Sequence, residues 1–437
     1  MSPIALLRRV RHGARRTAEL RYSSSTVRTA GKDTGVKVKS LAISLPKGFR
    51  FSAVTAGLKA SGRPDLALVE ASPGTSAAAL FTRNRVVAAP VEIGRDIMRK
   101  NRGYLRAVVV NSGNANCATG PAGHRACQRV CRETASLLGI LPDEVFPSST
   151  GIIGVPLPAD KIAEKLPQLI AGCKSTPRAM REFGEAIMTT DTRLKVASER
   201  IDSGGRQISL AGVAKGSGMI HPQLATMLVY LFTDAVASPI ELKSLLKPVC
   251  DETFNCISVD GDTSTNDTVL LLASGRSGIA LTRRVIREKF QAALRNICQS
   301  LADQIVADGE GVKHVVRFEI TQARNHDEAL RIARAIAHSL LVKTALAGSD
   351  PNWGRILAAI GAAGVPLDAQ RVSIFIGDEL VCRGGVHCDF NAQKAHRALS
   401  EPTCTIRVRL GRGSAKLVFT TGDLTEEYVR INADYST

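Results

Sequence analysis

Six consecutive apolar or aromatic residues, Met227 to Phe232, constrain this chain more than any other feature. A short continuous apolar run bounded by turn signals reads as a buried strand. The turn signals come just ahead of it. Gly212 to Ala235 reads GVAKGSGMIHPQLATMLVYLFTDA, with Lys215, Gly216, Ser217, Gly218, His221 and Pro222 before the run. Thr226 stands at the junction, preceded by the small Ala225. A hydroxyl at the mouth of a buried strand, behind a Gly-rich loop, is well placed to be a nucleophile. A free hydroxyl needs an adjacent base, however. Cutting the chain before a Thr supplies one, because the new α-amino group sits on the same residue. That amine has an ordinary pKa of about 7.7–8, so much of it is deprotonated near neutral pH, unlike a Lys amine.

Length and composition narrow the alternatives. A chain of 437 residues can bury a sizeable core. Its 44% hydrophobic and 22% charged content are ordinary for a globular protein. No apolar run approaches the ~20 residues that span a bilayer, so no membrane partner is expected. The net charge of +18 raises a nucleic-acid-binding reading. Residues 1–39 carry seven Arg and three Lys against Glu19 and Asp33, so +8 of that charge is local. Elsewhere Lys and Arg are scattered and not interleaved with aromatics, which speaks against a nucleic-acid groove. The ten Cys form no CxxC pair, and Cys382, His387 and Cys388 make an incomplete metal set, so no metal site is expected. Residues 1–30 are Arg-rich, Ser-containing and acid-poor, the composition of a mitochondrial or plastid transit peptide. Removal is expected near Tyr22–Ser23, after Arg21.

Several stretches invite a site reading beside a plain structural one. Pro147 to Pro158 reads PSSTGIIGVPLP; a Thr-Gly pair in a tight turn would present a hydroxyl and a backbone N–H together, the two donors an oxyanion hole needs, or be only a turn. Lys215 could bind a carboxylate or be a solvated loop Lys. In Met188-Thr189-Thr190-Asp191-Thr192 the polar residues could bind substrate, cap or brace. Asn111, Asn114 and Asn116 could orient a substrate or brace a site. Asp260, Asp262 and Asp267 lack a Ca²⁺-loop register. Glu310, in Asp308-Gly309-Glu310-Gly311, reads alone as a helix-end acid. Lys343, Asp350, Asn352 and Arg355 read as scaffold, and His221 as a packing residue.

The run KGSGMIHPQLATML, Lys215 to Leu228, resembles the self-cleavage site of the glutamate N-acetyltransferase family, also called the ornithine acetyltransferase family. Its members are enzymes of the cyclic arginine pathway, made as one precursor that splits itself before a Thr. The other stretches above agree with it over nearly the whole chain after the first forty or so residues. The resemblance implies an α/β fold of stacked sheets between helical layers, with an N-terminal-nucleophile-like architecture. It implies a cut between Ala225 and Thr226, leaving fragments 31–225 and 226–437 that assemble as a heterotetramer of two each. It makes Thr226 the nucleophile and places the oxyanion hole on Thr150 and Gly151. Substrate binding falls to Thr189, Lys215, Thr226, Glu310, Asn432 and Thr437. The substrates implied are N2-acetylornithine and glutamate, with no bound cofactor; some enzymes of the family also accept acetyl-CoA as acetyl donor, and both cases stay open. A mitochondrial-matrix location fits the leader, with the plastid as alternative. The rival within the same architecture is an aminopeptidase, which hydrolyses and tends to carry Ser where Thr226 stands.

Periodicity adds the elements. Strands are expected over Ala77–Asn84, Val86–Ile93, Leu105–Val110, Val372–Val386 and Cys404–Phe419, and a hairpin over Ser198–Ser209 turning at Ser203-Gly204-Gly205. Helices are expected over Pro121–Gly139, Ala159–Ile170, Pro177–Met188, Ser238–Phe254, Thr282–Val306 with Thr282 as a candidate N-cap, and Asp327–Ala347.

Overall fold

The apolar run is a strand with both faces buried, and its neighbours explain why. A computed structural model describes residues 43–221 and 227–434. In chain order the first part holds strands β1 (Phe49–Val54), β2 (Leu66–Ala71) and β3 (Ser76–Phe81), helix α1 (Ala89–Lys100), β4 (Ala107–Asn114), α2 (Gly120–Leu138), β5 (Val145–Ile152), α3 (Ala159–Ala171), α4 (Pro177–Ala186), β6 (Lys195–Ser203) and β7 (Arg206–Lys215). After the described residues resume come β8 (Leu228–Thr233), α5 (Pro239–Glu252), β9 (Ile257–Ser258), β10 (Thr268–Ala273), α6 (Arg284–Ala307) and β11 (Val315–Ala323). The chain closes with α7 (His326–Ala337), α8 (Leu340–Ala347), α9 (Trp353–Gly361), β12 (Ser373–Ile376), β13 (Glu379–Arg383), β14 (Val386–His387), α10 (Ala392–Ser400), β15 (Thr403–Arg409), β16 (Ala415–Gly422) and α11 (Glu426–Asp434).

Three sheets result, ordered β1-β2-β4-β5, β3-β10-β8-β7-β6 and β14-β13-β12-β15-β11-β16-β9. In β8, side chains alternate between two cores, as the period of two requires. Leu228, Tyr230 and Phe232 pack with Phe49, Phe51, Val69, Val108 and Val110 of the four-stranded sheet. Val229 and Leu231 pack on the other side with Leu245, Leu246 and Val249 of α5 and Phe290, Leu294 and Ile297 of α6. The outer face of the four-stranded sheet is covered by α2 and α3 through Val130, Ala135, Ile162 and Leu166. Two sheets are therefore stacked between two helical layers, the architecture expected. Burying each such Leu, Val or Phe contributes about 1.5–3 kcal/mol, so continuous apolar strands are what this sandwich demands. The seven-stranded sheet builds a separate core with α7, α9 and α10. Among the described residues, no helix is long and apolar enough to cross a membrane.

Most expected elements form, with instructive differences. Val86–Ile93 leads not into a strand but into α1, which carries Pro90 in its first turn. Proline cannot donate in a sheet ladder, yet its fixed φ suits a helix start. The expected helix Asp327–Ala347 is broken at His338–Ser339; Ser339 caps α8, its side chain accepting from the Val342 amide. Helix α6 begins at Arg284 with Arg283, not Thr282, as its N-cap residue.

Candidate active site

The two sandwich sheets deliver one wall of a cleft. Thr150 and Gly151 do not form a tight turn. They lie in the last rungs of β5, paired with Ser112 and Gly113 of β4, where the register shifts at Gly113–Asn114. Gly151 has φ +132, and a Cβ there would come within 2.3 Å of the Gly113 carbonyl carbon, so only glycine fits. Lys215, the last residue of β7, is buried and donates from Nζ to Thr150 Oγ1 at 3.0 Å. An ammonium only donates, so the Thr150 hydroxyl accepts and keeps its own proton to offer elsewhere. Burial pushes Lys215 below its ordinary pKa, and the nearby Asp191 carboxylate pulls the other way.

Beneath this wall lies a buried ionic network. Asp191 accepts from Lys195 Nζ at 2.7 Å and from the Gly216 amide at 2.7 Å. Lys195 also donates to Asp308 at 2.5 Å, and Asp308 takes the Thr192 hydroxyl and amide. Burial would raise Asp191, but Lys215, Lys195 and the Gly216 amide hold it down to about 2. A buried carboxylate stays ionised only with such partners. The network ties the residues after α4, the start of β6, the Gly-rich loop and the end of α6 together.

The opposite wall is carried by loops and the C-terminal helix. Glu310 follows α6; its amide donates to the Ser217 carbonyl at 3.0 Å, and its carboxylate accepts from Asn432 Nδ2 at 2.9 Å. Gly218 backs directly onto that carboxylate: a Cβ there would meet it at 2.5 Å. Asp260 accepts the Met219 amide at 2.5 Å and the Ile220 amide at 2.9 Å. Between the walls lies a cleft of about 210 Å³. Thr150, Gly151, Thr189, Lys215, Glu310 and Asn432 all line it, as do Asp260, Asn266 and Tyr428.

Six of the expected site residues are thus brought together from positions 150 to 432. Ala225, Thr226 and Thr437 lie outside the described residues, as do residues 1–30, where a transit peptide is expected. The asparagines at the end of β4 and just beyond it are braces: Asn111 bonds Ser149 and the Asn114 carbonyl, Asn114 the Val155 carbonyl, and Asn116 the Gly123 carbonyl. His221 packs against His338, ring centroids 4.7 Å apart, and burial pushes it down to about 4. Lys343, Asn352 and Asp350 serve the scaffold; Asn352 caps α9 and Lys343 reaches the Gly422 carbonyl. Among the described residues no cluster of three or more His, Cys, Asp or Glu could hold a metal ion.

Sequence reasoning missed Lys195, Asp308 and Asn266 and took Asp260 only as a rejected cation ligand. Asn266 donates to the Ala115 and Ser149 carbonyls at 2.7 and 2.9 Å and so braces the end of β5.

The ArgJ family model matches residues 50–437. This chain belongs to the ArgJ family. It is 45% identical over 397 residues to the arginine biosynthesis bifunctional protein ArgJ of Thermus thermophilus, covering 91% of this chain and 100% of that one. The protein of the same name from Methylococcus capsulatus is 43% identical over 394 residues, covering 89% and 95%. A solved ornithine acetyltransferase from Mycobacterium tuberculosis, complexed with ornithine, is 35% identical, covers 41% of this chain and 94% of that chain, and gives a TM-score of 0.36. The chain is an enzyme of the ArgJ family.

Proposed function

We propose that this ArgJ-family enzyme moves an acetyl group from N2-acetylornithine to glutamate through an ester on Thr226, after the precursor cuts itself between Ala225 and Thr226. One observation carries the reading: the cleft has donors at one end, on Thr150, Gly151 and Lys215, and an anionic end at Glu310. An amino acid with a carboxylate, an acyl carbonyl and a distal ammonium is complementary to that polarity.

In the first half-reaction the Thr226 amine takes the proton of its own hydroxyl. The oxygen attacks the acetyl carbonyl, and Thr150 and Gly151 steady the oxyanion. The C–N bond then breaks, the proton passes to the leaving amine, and ornithine departs. In the second half-reaction the α-amine of glutamate attacks the ester carbonyl, the C–O bond to Thr226 breaks, the amine's proton returns to the Thr226 oxygen, and N-acetylglutamate leaves. Acetyl-CoA is a second donor in the same scheme, making N-acetylglutamate directly.

The strand order supports a cut that does not scatter the fragments. β7 and β8 flank the proposed site in sequence and pair antiparallel from Leu210↔Thr233 to Lys215↔Leu228. β3, β6 and β7 would come from the first fragment and β8 and β10 from the second, all in one sheet. The Arg-rich leader supports a mitochondrial-matrix enzyme, and the scheme needs no cofactor. Purified protein given acetylornithine and glutamate should yield ornithine and N-acetylglutamate in equal amounts; acetate and ornithine without N-acetylglutamate would overturn the transfer reading. A parallel assay with acetyl-CoA and glutamate tests the second donor.

A further inference from the structure

The Gly-rich loop makes a backbone move that needs an explanation. Met219 is held at φ +60, a left-handed conformation that a long side chain adopts only when its surroundings over-determine it. The surroundings are one carboxylate. Asp260 Oδ2 takes the Met219 amide and Oδ1 the Ile220 amide, and Oδ1 also takes the Asp262 amide at 3.2 Å. The residue before the turn is Gly218, whose Cα faces the Glu310 carboxylate with no room for a side chain. Asp260 therefore grips the loop one residue past the point where that loop backs Glu310.

We propose that Asp260 is a positioning residue for recognition of the donor's distal ammonium: by clamping the Met219–Ile220 turn it presses Gly218 against Glu310 and fixes where that carboxylate points. The inference rests on the reading of Glu310 as the ammonium's partner. Asp260 is an expensive residue for mere scaffolding. Burial pushes it up to about 6, and the neighbouring Asp262 and Glu310 carboxylates push the same way, while the amides it holds oppose them. Lys343 of α8 and Tyr428 of α11 are the other titratable groups facing it. A folded pKa above the ordinary carboxylate value means that ionising Asp260 disfavours folding as pH rises from about 4 to 6. Asparagine loses the charge and keeps only one acceptor oxygen, so its NH2 faces an amide that the carboxylate now holds and the clamp opens.

The test uses full-length protein carrying Asp260→Asn, with and without Met219→Gly, assayed at pH 8 with N2-acetylornithine and with N2-acetylnorvaline, which lacks the distal amine. For Asp260→Asn the expected result is a KM for acetylornithine raised tenfold or more. Its kcat should stay within about threefold, and preference for acetylornithine over acetylnorvaline should fall tenfold or more. A KM raised at preserved kcat, with the loss confined to the substrate that carries the distal amine, is a split that a purely structural role would not give. Glycine accepts the left-handed turn without a clamp, so adding Met219→Gly should recover at least threefold of the lost preference. Unchanged preference in Asp260→Asn overturns the inference. So does a lost preference that Met219→Gly fails to recover, because the carboxylate would then act on the substrate directly. If Asp260→Asn fails to fold, Met219→Gly in that background decides: renewed folding without renewed preference makes the clamp structural and overturns the inference. The parent enzyme separates the two readings. If it does not transfer acetyl from acetylornithine, the proposed function fails, whereas parent transfer with unaltered variants sinks only the role of Asp260.

Discussion

Thr150, Gly151 and Lys215 hang on strands paired to their last rungs, whereas Glu310, Asp260 and Asn432 hang on turns, a polar loop and an exposed helix. The first wall would stabilise charge that develops during reaction, and such donors work only if they do not reorganise. Sheet ladders and an over-packed Gly151 supply that stiffness. The second wall would recognise the far end of a substrate, and there the carboxylate is held by side-chain clamps on loops, Asp260 on the Met219–Ile220 turn and Asn432 on Glu310 itself. The buried Asp191–Lys195–Asp308 network joins the two, since Asp308 lies two residues before Glu310 and Asp191 holds the Gly216 amide.

This contrast can be broken at several points, starting with the largest effect. Thr226→Ala should give an uncut chain with no transfer activity, read as a single band and no N-acetylglutamate; two native-sized fragments from that variant would break the assignment. On the stiff wall, Thr150→Ala should lower kcat by about 10²–10³ with KM little changed, since it removes one oxyanion donor. A variant losing only KM would place Thr150 with the recognition wall instead. On the recognition wall, Glu310→Gln should raise KM for acetylornithine by roughly 10- to 100-fold, the worth of one charged hydrogen bond, and spare kcat. A comparable loss of kcat would mean that the two walls do not divide the labour. The smallest effect is expected from pH. Asp191 titrates near 2 in the folded protein, below its unfolded value near 4. It contributes stability that is complete above about pH 4 and lost as pH falls toward 2. Asp191→Asn should flatten acid-unfolding curves in that window, and an unchanged acid limb would remove Asp191 from the network's centre.

Both walls were legible mainly through the family resemblance, which named Thr150, Gly151 and Lys215 on one and Glu310 and Asn432 on the other, while Asp260 was not named. The run from Met227 to Phe232 reads as a strand covered on both sides, because it is short, continuous, apolar or aromatic throughout and bounded by turn signals. Thr150 and Gly151 stood out through the resemblance as a candidate donor pair, though read as a turn, since nothing local reveals that β4 and β5 stay paired to their ends. Val86–Ile93 misled because apolar content outweighed Pro90. Lys195 and Asp308 stand 113 residues apart, and each alone looks like an ordinary surface charge. Asp260 sat among other acids that suggested, and then failed, a cation-loop pattern; its partners are two amides some forty residues away. Local propensity and spacing carry no information about such pairings.

The most direct measurement is intact-mass and N-terminal analysis of active protein incubated with acetylornithine and no glutamate. The account predicts a fragment that begins at Thr226 and gains the mass of one acetyl group, lost again when glutamate is added. Full transfer activity from a chain still continuous through Ala225–Thr226, with no acetylated fragment, would contradict it.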